Sequence, residues 1–111
     1  MNPLQWLGEL FSRRGQALRL YRAGMKKAHE HDVVGAILDY TALLALPAAP
    51  QDLRAMALFN RGLVLVAAGD HGRGGDDLQE VAAMATTSEN IRTLARQKLA
   101  RMETRRQQRE A

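Results

Sequence analysis

The sequence contains no cysteine, which removes disulfide staples, thiolate metal sites and a cysteine nucleophile together, while leaving the compartment open. Aromatic residues make up only 5% of the chain against 46% for all apolar types, so the core is expected to be aliphatic. Long apolar runs are missing as well. The stretches Leu63 to Ala68 and Ala42 to Ala49 fall far short of the roughly 18 residues that a bilayer span requires. No Lys or Arg precedes Arg13 and Glu9 interrupts the first apolar segment, the wrong charge order for a secretory leader, so a cytoplasmic location is the default expectation. Three prolines and nine glycines are ordinary usage, which excludes collagen-like and low-complexity classes. What is present is 111 residues, 25% of them charged: enough for one folded domain, and too few for two.

Charge is unevenly placed along that chain. Residues 1 to 29 carry Arg13, Arg14, Arg19, Arg22, Lys26 and Lys27 against Glu9 alone, and residues 91 to 111 carry seven bases against Glu103 and Glu110. Between them, residues 30 to 90 hold nine acids against Arg54, Arg61 and Arg73. An acidic centre between basic ends can pair with itself on folding back, make contacts between chains, or leave basic faces for an acidic partner.

Periodicity predicts helices throughout, and no segment alternates with period two. Asn2 and Pro3 read as the cap and first residue of a helix in which Leu4, Trp6, Leu7, Leu10 and Phe11 share one face. After a break at Ser12 to Gly15, Ala17, Leu18, Tyr21, Gly24, Met25 and Ala28 mark a second helix that ends at His29 to His31. Asp32 caps a third, with Ile37, Tyr40, Ala42, Leu43 and Leu46 inward, stopped by Pro47 and Pro50. Pro50, Gln51 and Asp52 open a fourth with the face Leu58, Phe59, Gly62, Leu65 and Val66, and Gly69 is placed to end it. A fifth, from His71 to Met84, keeps Leu78, Val81 and Ala82 in register but contains Gly72, Gly74 and Gly75, each costing about 1 kcal/mol against Ala. Thr86 and Glu89 read as a capping box before a last helix with Ile91, Leu94, Ala95, Lys98, Leu99 and Met102. Past Met102 the apolar face is lost, and a frayed end is expected.

An offset of 38 superposes Leu20, Gly24, Asp32, Ala36, Tyr40 and Leu43 on Leu58, Gly62, Asp70, Gly74, Leu78 and Val81. Two helical hairpins therefore share one plan, with small residues where their helices cross and an aspartate capping the second helix of each. These residues resemble the tetratricopeptide repeat over residues 17 to 84. Gly24 and Gly62 match its small first-helix position, Gly69 and Asp70 its turn, Ala36 its small second-helix position and Tyr40 its aromatic. The repeat is usually about 34 residues long, so the linker from Pro47 to Arg54 is lengthened. His31 stands at the turn glycine, Lys27 at a common aromatic position and Gly74 at an alanine. The resemblance implies an all-α, right-handed stack of about two antiparallel hairpins. Its organisation would be an amphipathic helix over 1–16, a repeat domain with a C-terminal capping helix over 17–103, and a basic tail over 104–111.

The same resemblance implies a non-enzymatic adaptor that receives a peptide or helix of a partner protein on the wall formed by first helices. Carried onto this chain, that wall comprises Tyr21, Met25, Phe59, Leu63 and Val66, with Asn60 and Arg61 beside them and with Arg22 and Arg61 setting orientation. The Lys and Asn positions of the clamp that some members use for acidic C-termini are occupied by Tyr21 and Met25, so that clamp is not expected. A two-repeat array leaves apolar ends to be covered, which makes a second copy of the chain a natural partner. The face Leu4, Trp6, Leu7, Leu10 and Phe11 could dock on its own domain to cover one end or, as an alternative and followed by Arg13 and Arg14, suit a membrane surface. Nucleic acid is disfavoured, since Trp6 and Tyr21 do not make an interleaved aromatic platform. His29 and His31 point apart on a helix, no His pair stands four residues apart, and Asp76, Asp77 and Glu80 lack a nucleophile and read as surface. No metal, cofactor or small-molecule substrate is expected.

Overall fold

A computed structural model describes residues 2–10 and 12–111, without the side chains of residues 6, 7, 9 and 10. The described residues form six helices and no strand: α1 (Pro3–Leu10), α2 (Arg13–His29), α3 (Val33–Leu44), α4 (Gln51–Ala67), α5 (His71–Ala83) and α6 (Glu89–Glu110). Each helix packs on the next, α4 also touches α2 and α6, and among the described residues α3 and α5 do not meet. Helices α2, α4 and α6 thus share one side of an elongated stack of 65 × 30 × 19 Å. Its radius of gyration is 15.9 Å, against about 13 Å for a compact chain of this length.

The turns between helices repeat as the sequence does. At the end of α4, Gly69 takes φ +94° while its N–H and that of Asp70 donate to the carbonyls of Val66 and Leu65, closing the helix with a left-handed residue. Asp70 then caps α5 by accepting from the Arg73 N–H. At the end of α2, His31 and Asp32 donate to Ala28 and Lys27 in the same pattern, and Asp32 accepts from the Gly35 N–H. Here, however, the left-handed residue is His31, with φ +64°, a conformation costing an L-residue roughly 1–2 kcal/mol. Ser12 similarly caps α2 through the Gly15 N–H. The cap of α6 corrects the sequence expectation: it is Ser88, accepting from the Ile91 N–H, whereas neighbouring Thr87 is buried.

Packing centres on the two helix crossings. A Cβ added at Gly24 would lie 2.6 Å from Tyr40 Cε1, and one at Gly62 would lie 3.0 Å from Leu78 Cγ. At Gly74 the obstruction includes backbone, with the Gly62 carbonyl oxygen at 2.8 Å. One apolar cluster joins Ala17, Tyr21, Ala36, Tyr40, Leu43, Leu53 and Ala57, and a second joins Leu58, Val66, Leu78, Val81 and Ala95, with Leu44 touching both. Tyr40, Leu43, Leu78 and Val81 are fully enclosed, each burial stabilising by about 1.5–3 kcal/mol. The inward face of α3 is Ala36, Tyr40 and Leu43; Ala42, expected inward, is exposed, as are Val34 and Leu38.

Ion pairs fasten the helices to one another. Arg61 on α4 grips Asp77 on α5 with both Nε and Nη2, at 2.7 and 2.8 Å, and reaches Thr41 Oγ1 on α3 with Nη1. Asp77 is buried rather than at the surface, because it has this bidentate partner. Arg14 joins Asp52 across α2 and α4, Lys27 joins Asp39 across α2 and α3, and Arg54 Nη1 donates to the Leu44 carbonyl at the end of α3. The expected fraying past Met102 is also corrected. Helix α6 continues to Glu110, with Arg106 bridging Glu103 and Glu110 on successive turns, the spacing at which helical charges meet.

Two substitutions test this account by urea unfolding. Gly74→Ala should destabilise by about 1–3 kcal/mol through overpacking, despite a propensity gain near 1 kcal/mol; a stabilised variant would contradict the close crossing. His31→Gly should stabilise by roughly 0.5–1 kcal/mol by relieving the left-handed conformation.

Candidate groove beside the first long helix

The outward side of α2 borders a shallow groove of about 710 Å³. Met25 and Ala28 give it apolar surface above the enclosed Tyr40, Arg22, Lys26 and His29 line one rim with Glu30 beside them, and Asn60 reaches it from α4. Helical spacing puts Arg22, Lys26 and His29 on one face. Met25 is 43% exposed, unusual for a large apolar side chain with no partner. Arg22 and Lys26 make no ion pair among the described residues, in contrast to Arg14 and Lys27 on the same helix. The floor is rigid. Tyr21 Oη accepts from Asn60 Nδ2 at 3.0 Å, and its ring stands 6.2 Å from that of Tyr40, inclined by 44°.

The wall expected from sequence is divided by the structure. Met25 and Arg22 line the groove, but Tyr21 is buried beneath it, 8% exposed. Phe59 and Leu63 are half-buried against the second apolar cluster. Val66 is buried and borders a different hollow. Arg61 cannot orient a ligand as a free cation, because Asp77 and Thr41 hold it on the other side of α4, with Asp77 raising the guanidinium pKa above its ordinary value. Of the N-terminal face, Leu4 is exposed and α1 meets only α2 among the described residues. The side chains of Trp6, Leu7 and Leu10, and Phe11 as a whole, lie outside the described residues.

Lys26, His29 and Asn60 were not among the residues expected in the wall beyond a flanking place for Asn60; the i, i+4, i+7 recurrence of Arg22, Lys26 and His29 was the signal available. A second hollow, of about 640 Å³, lies between α5 and the far half of α6. Leu99 and Met102 of the apolar stripe line it together with Val66, but the glycines and charges that complete it lie outside that periodicity. Among the described residues no His, Asp and Glu side chains gather as a metal site. His31 and Asp32 instead serve the turn. No helix among the described residues is long and apolar enough to cross a membrane.

Compared with known proteins, the chain matches no family model, no curated protein and no solved structure.

Tyr40 gives the groove floor a pH signature. Burial, followed by the charges of Tyr21 and Asp39, pushes its phenol from 10.0 up to about 12. Above pH 10 the unfolded chain releases this proton while the folded chain retains it. The resulting stability is present in full below that pH and is lost as pH rises toward 12. Unfolding free energies from urea titrations near pH 8 and pH 11 should differ by on the order of 1–2 kcal/mol, and Tyr40→Phe should flatten the slope. An unchanged slope would place the titration elsewhere.

Proposed function

We propose that the chain is a non-enzymatic adaptor, a stack of two tetratricopeptide-like hairpins that holds an acidic peptide or helix of a partner protein in the groove beside α2. The observation that carries this reading is an exposed Met25 between unpaired Arg22 and Lys26, above a floor fixed by the Tyr21–Asn60 hydrogen bond. Apolar contact with Met25 would supply residence time, and the two cations would accelerate encounter and exclude basic ligands. Support for the repeat-like stack comes from equivalent crossings at Gly24 and Gly62 and from equivalent turns at His31 and Gly69. It also comes from the contacts of α4 with α2 and α6, while α3 and α5 stay apart. That inequality curves a stack toward its first helices, where a wall for a ligand forms.

The test is binding of a partner recovered with a photo-crosslinker at position 25. Met25→Ala should weaken binding several-fold, and Arg22→Glu with Lys26→Glu by about tenfold or more at low salt, with helicity and urea midpoint retained. Val34→Ser, on the outer face of α3, should leave affinity unchanged. If the α2 variants retain every partner at full affinity, the groove is not the binding site.

A further inference from the structure

The hollow between α5 and α6 has a pattern that the adaptor reading does not use. Helix α6 has 22 residues and α5 has 13, so α6 overhangs by about two and a half turns and carries its last basic residues beyond its own support. Val66, Leu99 and Met102 contribute apolar surface to the hollow. One side bears Asp76 and the other Arg105 and Arg109; exposed Glu80 stands on the next turn of α5, outside the lining and within electrostatic reach of Arg61. None of these four charges has an ion-pair partner among the described residues. Opposite charges thus line the same 640 Å³ hollow without meeting across it.

We propose that this hollow is the interface between two copies of the chain, related by a two-fold axis, with Arg105 and Arg109 of each copy meeting Asp76 and Glu80 of the other. A two-fold axis is the operation that satisfies such a surface, because a patch with acid on one side and base on the other is complementary to itself when inverted. The α5 glycines fit the same arrangement. Gly74 has no room for a Cβ, but one at Gly72 would come no nearer than 3.9 Å to Asp70 Oδ1, and one at Gly75 no nearer than 3.7 Å to Met102 Cε. Their absent side chains therefore serve little within the chain, and both line the hollow, where they let another helix approach. This interface is separate from the α2 groove and stands or falls without it.

Sedimentation equilibrium of the full chain over a wide concentration range should show a monomer–dimer equilibrium that weakens with salt. Arg105→Asp with Arg109→Asp should raise the dimer Kd about tenfold or more, as should Asp76→Lys with Glu80→Lys. Mixing the two double variants in equal amounts should restore dimers, since every contact in the mixed pair is again between opposite charges. Gly72→Leu, at a position with room for a Cβ, should abolish pairing without lowering the unfolding midpoint, and Met25→Ala should leave pairing intact. A wild-type monomer at all concentrations, a Kd indifferent to both charge reversals, or a mixture that stays monomeric would each overturn the proposal.

Discussion

The fold depends on how closely two pairs of helix backbones can approach. In the first hairpin the Tyr40 ring lies over Gly24, and in the second Leu78 and the backbone of Gly74 lie over Gly62. The two solutions compensate in volume. Where the second helix presents Ala36 and a large ring, the ring fills the space over the glycine. Where it presents Gly74 and the smaller Leu78, the backbones themselves come together, and a Cβ on Gly74 would meet the Gly62 carbonyl. Interiors packed to crystal-like density accept either filling but not a mixture of the larger parts. This constraint fixes the register of each hairpin, and the register in turn places Tyr21 under Asn60 and Arg61 against Asp77.

Charge follows from that register. Four of the nine acids in the acidic centre are held by ion pairs within the chain: Asp39 with Lys27, Asp52 with Arg14, Asp70 with Arg73 and Asp77 with Arg61. The pairs differ in consequence. Arg14–Asp52 and Arg73–Asp70 are well exposed and screened by solvent, although Arg14 still holds the Asp52 carboxyl below its ordinary pKa. Arg61–Asp77 is mostly enclosed, and removal of either partner would leave the other desolvated without compensation. After these pairings, unpaired base remains on the outer side of α2 and on the overhang of α6, and unpaired acid remains on the outer side of α5. The surface that can attract other chains is thus what internal pairing leaves over.

Helices, their order and the 38-residue equivalence were legible because they rest on local rules: apolar spacing, Asp32 and Asp70 as caps, Gly69 as a left-handed stop. The α6 cap was misplaced by two residues because Thr86 and Ser88 are equally good oxygen acceptors in isolation, and tertiary placement chooses between them. The length of α6 was missed because apolar periodicity is silent on a segment sustained by charge at i+3 and i+4, as in Glu103, Arg106 and Glu110. For the candidate wall, spacing identified α2 and Met25 but could not separate Tyr21, which faces inward, from a residue that faces a groove. Both lie on the same side of an amphipathic helix, one turn apart. Arg61 was misread for a related reason, as its partner Asp77 is sixteen residues away and no local pattern announces the pair.

The two surfaces bear on each other through geometry. The α2 groove is formed by α2, Tyr40 and Asn60, whereas the self-complementary hollow is formed by α5, α6 and Val66, so occupation of one leaves the other free. A pair of chains joined at the hollow, as proposed, would carry two α2 grooves held by a helical stack rather than by a flexible linker. A partner with two acidic segments of matching separation would then bind the second groove intramolecularly, at an effective concentration set by that fixed spacing. A partner with one segment would gain nothing. On the two proposals together, weak single-site contact through Met25, Arg22 and Lys26 would suffice for firm binding of a bivalent ligand, and the exposed α2 groove would not need to be deep to be selective.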